Sequence, residues 1–505
     1  MTHYDVAIVG SGYAGATLGW ILAAQGRSVL LIDRAAHPRF AIGESSTPLA
    51  DLILDRLADR YGLPGLGSLA RYGRWKRDLS QLECGLKRGF SYFQHASGRP
   101  YHDTADHRRS LLVTASADTT LADTHWLRAD VDHYLTQGAS AAGADLCEHT
   151  HVQSAVWDQH WRIKLRDATA TASAATKNVT AGFLVDATGS SGFANRFLGT
   201  RDVTARLQTR TAAVYGHFDG VGSWSQALKQ QGFGTADDPF DADHAAQHHL
   251  LEDGWVWMLR FDGGRTSVGR VFASDAAPRP CPWRAIADRD TAPGEPAVDA
   301  LGLRAYPSLA AVLEDARHVA PGSGVVCQPR LQQAQTPVVG PAWALLPTAA
   351  ATIDPLHSTG IAHGLWGVEQ LAGILLDSPA GSPRRLARYA EMLEREIDWL
   401  DRIVAVSYAN LGCFSRFAIS TMLYFIAAID CEERYGAGES VSALWSVDRP
   451  ELMAAIDDCT AWLQPPGGSL EQLARRVRAR LQPWNTAGLL DASAKNRYRY
   501  TAAPK

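Results

Sequence analysis

Gly10, Gly12 and Gly15 stand in the order G-x-G-x-x-G around Ala14, between an apolar stretch and a run of small residues. That spacing suits a diphosphate. Gly10 permits a tight turn, Gly12 lets the backbone approach the phosphates, and Gly15 lets a helix pack closely on its strand. The first N–H groups of that helix then face the anion. Asp33 closes the next apolar run, placed to accept hydrogen bonds from an adenosine ribose. A second feature is a lone cation, Lys87 in "CGLKRGFSYFQH", where Leu86, Phe90, Tyr92 and Phe93 ask for buried side chains. A buried ammonium is costly, and burial favours the neutral amine. By periodicity alone, Lys87 reads instead as an edge-strand residue that snorkels to solvent or pairs with Glu83.

Position for these groups comes from a β-α-β unit, "YDVAIVGSGYAGATLGWILAAQGRSVLLID". Its pattern predicts strands over Val6 to Val9 and Val29 to Ile32, buried on both faces, with a helix over Ala14 to Ala24. "GFLVDATG", from Gly182 to Gly189, is another apolar strand that ends at an acid, Asp186. Between about 206 and 330 the texture changes. "TAAVYGHF" and "GWVWMLRF" predict antiparallel strands with one exposed face, separated by a long polar loop, "GTADDPFDADHAAQHH". From Ser382, with Pro383 as cap and first turn, Leu386, Tyr389, Leu393, Ile397, Leu400 and Ile403 recur at helical spacing. The expected division is a discontinuous nucleotide-binding domain (1–205 with 331–380), a sheet insertion (206–330) and a helical C-terminal region (381–505). The tail "NRYRYTAAPK" reads as frayed.

At 505 residues the chain has material for about three domains or one elaborate one. A net charge of -4 gives no reason to expect nucleic acid or an anionic membrane as partner. The seven cysteines form no C-x-x-C pair and their number is odd, which argues against a disulfide framework and for a reducing compartment. The apolar run Phe417 to Ile429 is too short to span a bilayer and reads as a buried helix. With no signal peptide ahead of "YDVAIVG", the expected location is cytoplasmic. His248-His249 has no acid or cysteine at ligand spacing, so no metal site is expected.

Three segments separate FAD from NAD. "GFLVDATG" resembles the second dinucleotide-contacting strand of flavin monooxygenase-like folds. "WLRADVDHYL" resembles their R-x-D-x-D segment, with Arg128 beside the flavin, although a surface helix cap is the plainer reading of that arginine. "ALLPTAAATIDPLHSTGIAHG" resembles their late segment, where Asp354 meets the ribityl chain before a helix. No second glycine motif supports a separate NADPH domain.

The chain further resembles the flavin-dependent halogenases through most of its length. "HPRFAIGESSTP" is similar to their post-Rossmann loop and "CGLKRGFSYFQH" to the segment bearing their active-site lysine. "LLEDGWVWMLRF" resembles their W-x-W-x-I-P signature, and "DPLHSTGI" their flavin and halide strap. The likeness is strongest to bacterial phenolic halogenases of the phloroglucinol type. The fold it implies is α/β: a Rossmann-like FAD-binding domain of flavin monooxygenase type, an antiparallel substrate-side sheet and a helical C-terminal region. The implied flavin contacts are Gly10, Gly12, Ala14, Gly15, Asp33, Arg34, Ser45, Arg128, Asp186, Gly189, Asp354, Gly360 and Ile361. Reduced flavin (FADH2), supplied by a separate NAD(P)H-dependent flavin reductase, activates oxygen. Chloride or bromide, held near Thr359 and Gly360, is oxidised to hypohalous acid. That oxidant crosses an internal tunnel to Lys87, which holds it or becomes a haloamine and halogenates an aromatic substrate, free or tethered to a carrier protein. These matches turn the reading of Lys87 from surface to buried.

Glu44, Ser45 and Ser46 fall where the family loop borders both chambers, and Glu44 is therefore a catalytic candidate. It also reads as a helix-start acid, since "SSTPLADLILDRL" offers Ser46 or Thr47 as cap and Pro48 in the first turn. Trp255 and Trp257 share one strand face and, with Phe90, are candidates for the substrate pocket or for plain core packing. Two departures stand out. Leu259 and Arg260 replace the signature Ile and Pro, so that Arg260 either alters the wall between flavin and substrate or faces solvent at a strand end. His357 stands where tryptophan halogenases carry a glutamate, which argues for a phenol or other activated ring that a histidine can orient or deprotonate. His363 and His95 are further candidate bases. The alternatives are a flavin monooxygenase or isoprenoid-type reductase of the same fold without halide chemistry, and a flavin-binding protein without turnover.

Overall fold

The computed structural model describes residues 1–169, 176–190, 192–273, 294–378, 380–464 and 469–499. Thr2–Val9 is the centre of a mostly parallel sheet, between Thr176–Asp186 and Val29–Ile32. Asp145–Cys147 and Trp343–Leu345 extend the parallel order on either side. These strands read as unbroken apolar runs because both of their faces are buried. The helix Tyr13–Ala24 leaves the first strand at the glycine turn and packs on the helices Arg128–Ala141 and Gly360–Asp377. The expected α/β architecture is the one observed.

A second sheet runs in the order Arg317–Ala320, Thr211–Asp219, Thr266–Ala273, Gly254–Arg260, Ala245–Leu251, Gly89–Gln94, Ser110–Thr114 and Arg497–Tyr498. It is antiparallel except where Ala245–Leu251 meets Gly89–Gln94 and where Arg497–Tyr498 meets Ser110–Thr114. Several expectations are corrected by it. Neither face is left in water. Trp255, Trp257 and Leu259 pack into the main core, while Val256 and Met258 join a second cluster with Trp224, Leu301 and Leu309. Residues 221–242 and 297–316 fold back over that outer face. The boundary at 206 does not divide the sheets, because Gly89–Gln94 and Ser110–Thr114 belong to the second one. The polar loop ends at His244, since "AAQHH" lies within the strand Ala245–Leu251. The tail is not frayed at its start: Arg497 and Tyr498 pair with Leu112 and Val113, and Arg497 meets Asp238 at 2.5 Å. Its residues 500–505 lie outside the described residues.

Four helices, Pro383–Ala409, Phe414–Gly436, Pro450–Leu463 and Leu470–Leu481, form the C-terminal region, the first with Ser382 and Pro383 as cap and first residue. The apolar run expected to be short is part of the 23-residue helix Phe414–Gly436, long and apolar enough to cross a membrane by those measures alone. However, 94% of its apolar window is buried inside the fold, against Pro48–Tyr61 and Pro383–Ala409 among others. It is a core helix.

Candidate active site

Gly10 takes φ +102°, and a Cβ there would lie 2.5 Å from the Ala187 carbonyl oxygen, so only glycine fits. At Gly12 a Cβ would meet only the tips of Arg128 and Asp132 at 3.6 Å and of Arg39 at 3.8 Å. The helix that Gly12 caps has no side-chain acceptor on its first N–H groups. Bare N–H groups, two guanidinium tips and a glycine surface make a cradle for a diphosphate. Asp33 Oδ2 accepts from the Ser11 backbone and hydroxyl, each at 2.9 Å, and from Arg39 at 3.1 Å. Burial alone would raise its pKa, but Arg39 and the donors at Ala35 and Ser11 outweigh it and hold the carboxyl below the usual range. Arg34 is exposed beside it, so the cation that reaches Asp33 is Arg39, which the sequence reading did not single out.

Arg128 is no surface cap. It is buried, chelates Asp132 at 2.8 and 2.9 Å, donates to the carbonyls of Ile42 (2.7 Å) and Gly43 (3.2 Å), and lies 4.6 Å from the Tyr13 ring centre. Tyr13 donates to the Gly360 carbonyl at 2.7 Å, joining the first helix to the late strap. Asp186 sits opposite Val9 in the ladder, and burial pushes its carboxyl up to about 6 against two donors from Thr188. Gly189 follows at φ +64°. Asp354 caps the turn Pro355–His357, and burial pushes it up to about 7 against Thr211, the Leu356 N–H and Tyr408. Thr359 and Ile361 are buried on either side of Gly360, before which space is open, and the helix Gly360–Asp377 starts without a side-chain cap. These groups fit FAD, and the bare helix start fits a halide beside it.

The lysine stretch is two strands. Cys84–Lys87 pairs with Asp123–Trp126, while Gly89–Gln94 enters the large sheet. Between them the Arg88 N–H donates to His244 at 2.7 Å and its carbonyl accepts from Ala115 at 2.8 Å. Gly85 and Gly89 permit the switch, since a Cβ on either would collide with the carbonyl of Arg260 or Val113. Lys87, the last residue before the switch, is 0% exposed. Its ammonium donates to the Ser46 carbonyl, stands 4.0 Å from the Phe90 ring centre and sits across the ladder from Asp123. Glu83 turns away and accepts from the Gly263 N–H at 2.9 Å, so neither surface reading of Lys87 holds.

One loop touches both chambers. Ile42 and Gly43 receive Arg128, and Ser46, at most roughly 14 Å of chain further on, receives Lys87. Glu44 lies in this loop, not in the helix Pro48–Tyr61, and its Oε1 meets His217 Nε2 at 2.7 Å in a buried pair. Ser45 is buried too, its hydroxyl without a partner among the described residues.

His125, His248 and His357 are all fully enclosed. Burial drives each down to about 3, helped at His125 and His248 by the charge of Lys87. Ser407 Oγ donates to the Ile403 carbonyl at 3.2 Å and lies 3.4 Å from His357 Nε2. The proton therefore belongs on Nε2, and Nδ1, unpartnered among the described residues, is an acceptor. The ring stacks on Tyr424 at 4.5 Å. Tyr424 lines, with Phe90, Phe425, Thr47 and Glu432, a cavity of about 20 Å³, enough for one water. His363 and His95 are satisfied core residues, on Glu396 at 3.1 Å and His249 at 3.0 Å. The sequence reading weighed His248 only as a metal ligand and did not single out His125. For His248 a signal existed: it alternates with Ala246 and Leu250, which face the main core, while His249 alternates onto the outer cluster.

Trp255 and Trp257 stand 6.0 Å apart on the inner face, their N–H groups donating to Tyr408 (2.7 Å) and Ser267 (3.1 Å). Arg260 points the other way and ties the strand end to the Val221 and Gly222 carbonyls and to Asp243 at 3.4 Å. It is absent from the wall. Gly269 lies directly under Trp257, and a Cβ there would enter the indole ring. Gly269→Ala is expected to cost about 1–3 kcal/mol of stability by overpacking, read as a lowered midpoint in thermal unfolding, with a changed Trp257 environment in near-UV circular dichroism.

A diphosphate cradle, linked through one loop to a fully buried lysine, has the form of a nucleotide-binding flavoprotein site. Residues 5–374 match the FAD dependent oxidoreductase family, and the chain belongs to it. It is 29% identical to the tetracycline 7-halogenase of Kitasatospora aureofaciens over 84% of this chain and 73% of that one. To the monodechloroaminopyrrolnitrin halogenase PrnC of Pseudomonas fluorescens it is 27% identical over 88% of this chain and 76% of that one. In fold it matches the crystal structure of the halogenase PltM in complex with phloroglucinol and FAD, with a TM-score of 0.83 at 22% identity, over 98% of this chain and 99% of that one.

Proposed function

We propose that this chain is a FADH2-dependent halogenase that places chlorine or bromine on an electron-rich, hydroxyl-bearing aromatic ring. The observation that carries the reading is Lys87, a fully buried amine at a strand switch, bonded to the loop that also meets Arg128. Bound and reduced, FAD supplies the oxidation of halide to hypohalous acid with oxygen. The residues of the chain do the rest. The start of Tyr13–Ala24 with Arg128 holds the diphosphate, and Asp33 and Asp354 take the ribose and ribityl hydroxyls. Backbone N–H groups at Thr359 and Gly360 hold the halide. Lys87 Nζ, fully buried beside the Phe90 ring, holds the oxidant by its N–H, and Trp255 and Trp257 line the substrate side. His357 Nδ1 accepts the substrate hydroxyl. With its conjugate acid at about 3, it orients the ring and does not store a proton at neutral pH.

A separate NAD(P)H-dependent reductase delivers the reduced flavin, and the substrate arrives free or on a carrier protein. A cytoplasmic setting is supported by the unbridged state of the six described cysteines. Arg260, the main sequence feature that favoured a monooxygenase without halide chemistry, lies on the far face of its strand and gives that reading no support. Incubation with FAD, a flavin reductase, bromide and a mixture of phenol, resorcinol and indole is expected to yield a product with the bromine isotope doublet in mass spectrometry. Hydroxylated products with no brominated ones would sink the proposal.

A further inference from the structure

The flavin site has a contributor from beyond the family match. Tyr408 lies near the end of the helix Pro383–Ala409, outside residues 5–374. Its hydroxyl stands 2.7 Å from Trp255 Nε1 and 3.0 Å from Asp354 Oδ2. The direction of both bonds is forced. An indole nitrogen can only donate, so the phenol oxygen accepts from Trp255 and sends its own proton to Asp354. On the other side Gln332 Nε2 donates to Thr211 Oγ1 at 2.7 Å, and Thr211 donates to the same Oδ2 at 2.8 Å. The Leu356 N–H takes Oδ1 at 3.1 Å. The carboxyl is thus held at both oxygens by Tyr408, Thr211 and Leu356, with Trp255 and Gln332 behind the first two.

We propose that Tyr408 is a positioning residue of the flavin site, aiming the Asp354 carboxyl at the ribityl chain and coupling it to the tryptophan strand through Trp255. The C-terminal helix is then part of cofactor binding, not only a cover. Burial raises Asp354, so each donor on Oδ2 also helps keep it an acceptor for a cofactor hydroxyl. The proposal rests on Asp354 as a flavin contact, and the test separates the two.

FAD affinity is measured by quenching of flavin fluorescence, with the visible spectrum of the bound flavin and the thermal midpoint recorded for each variant. Tyr408→Phe is expected to weaken FAD binding by roughly tenfold to a hundredfold, the loss of one hydrogen bond to a charged group. Trp255→Phe is expected to weaken it less, since Tyr408 keeps its own proton donation. In an Asp354→Asn background, Tyr408→Phe should add little, because its partner is already altered. Wild-type affinity and spectrum in Tyr408→Phe would overturn the proposal, as would an undiminished effect in the Asp354→Asn background, which a purely structural tyrosine gives. If Asp354→Asn alone binds FAD like the wild type, the flavin-contact reading itself falls.

Discussion

Replacing Lys87 by methionine is expected to lower halogenation by on the order of 10³-fold or more, while FAD binding and release of hydrogen peroxide by the reduced flavin persist. Methionine is the informative substitution. It keeps a long apolar stem between Ser46 and Phe90 and removes only the N–H donors. Alanine would in addition leave a cavity under a ring that now stands 4.0 Å from the ammonium. Arginine does not preserve the function either, since its planar fork needs partners that a pocket built for one ammonium lacks. Loss of product with oxygen consumption and peroxide intact places Lys87 after flavin chemistry. A methionine variant that still halogenates at wild-type rate removes the basis of the proposed mechanism.

Acid is expected to destabilise the FAD-free protein steeply between pH 7 and pH 5. His95, His125, His248 and His357 are each held at about 3 by burial, far below the ordinary 6.5. At these four sites, and at His249, which burial also holds well below 6.5, the unfolded chain takes up protons that the fold refuses, so stability falls as pH drops through 6.5. Asp354 and Asp186 act in the opposite sense. Their carboxyls are raised to about 7 and about 6, so the folded chain gains protons in the same window that the unfolded one does not. From pH 7.5 to 5 the four histidines held at about 3 cost about 8 kcal/mol and the two carboxyls restore about 4. A net loss of at least about 4 kcal/mol is a large part of the roughly 5–15 kcal/mol that holds a typical domain folded. Thermal unfolding of the apoprotein across this range should show the midpoint falling toward pH 5, with a net uptake of protons on unfolding. A flat midpoint, or one that rises, would mean that the imidazoles are not enclosed as described.

Much of the cofactor half was legible before folding. Gly10, Gly12, Gly15 and Asp33 act within one β-α-β unit, where the turn and the close helix approach are local demands that residue types alone can announce. Asp354 and Gly360 came only from a resemblance to other flavin folds, and the fold makes them the cap of a short turn and the bare start of the next helix. Arg39 was not singled out, because the five residues of loop between it and Asp33 decide whether its guanidinium folds back onto the carboxyl.

The lysine chamber is different. "CGLKRGFSYFQH" looks like one edge strand, and nothing within it says that the chain changes sheets at Arg88 or that a carbonyl at Ser46 waits for Lys87. His125, His248 and Tyr424 converge from three separate elements, and no short-range period encodes that meeting. The face of Arg260 and the burial of the second sheet were likewise decided by residues 221–242 and 297–316 folding over it. What the amino-acid order determined by itself is whatever local backbone geometry and hydrophobic period dictate: the nucleotide fold, its turns and the types of residue able to react. Which amine is buried, which histidines stay neutral and which tyrosine holds the Asp354 carboxyl follow from desolvation and hydrogen bonds between distant segments, and those exist only once the chain has closed on itself.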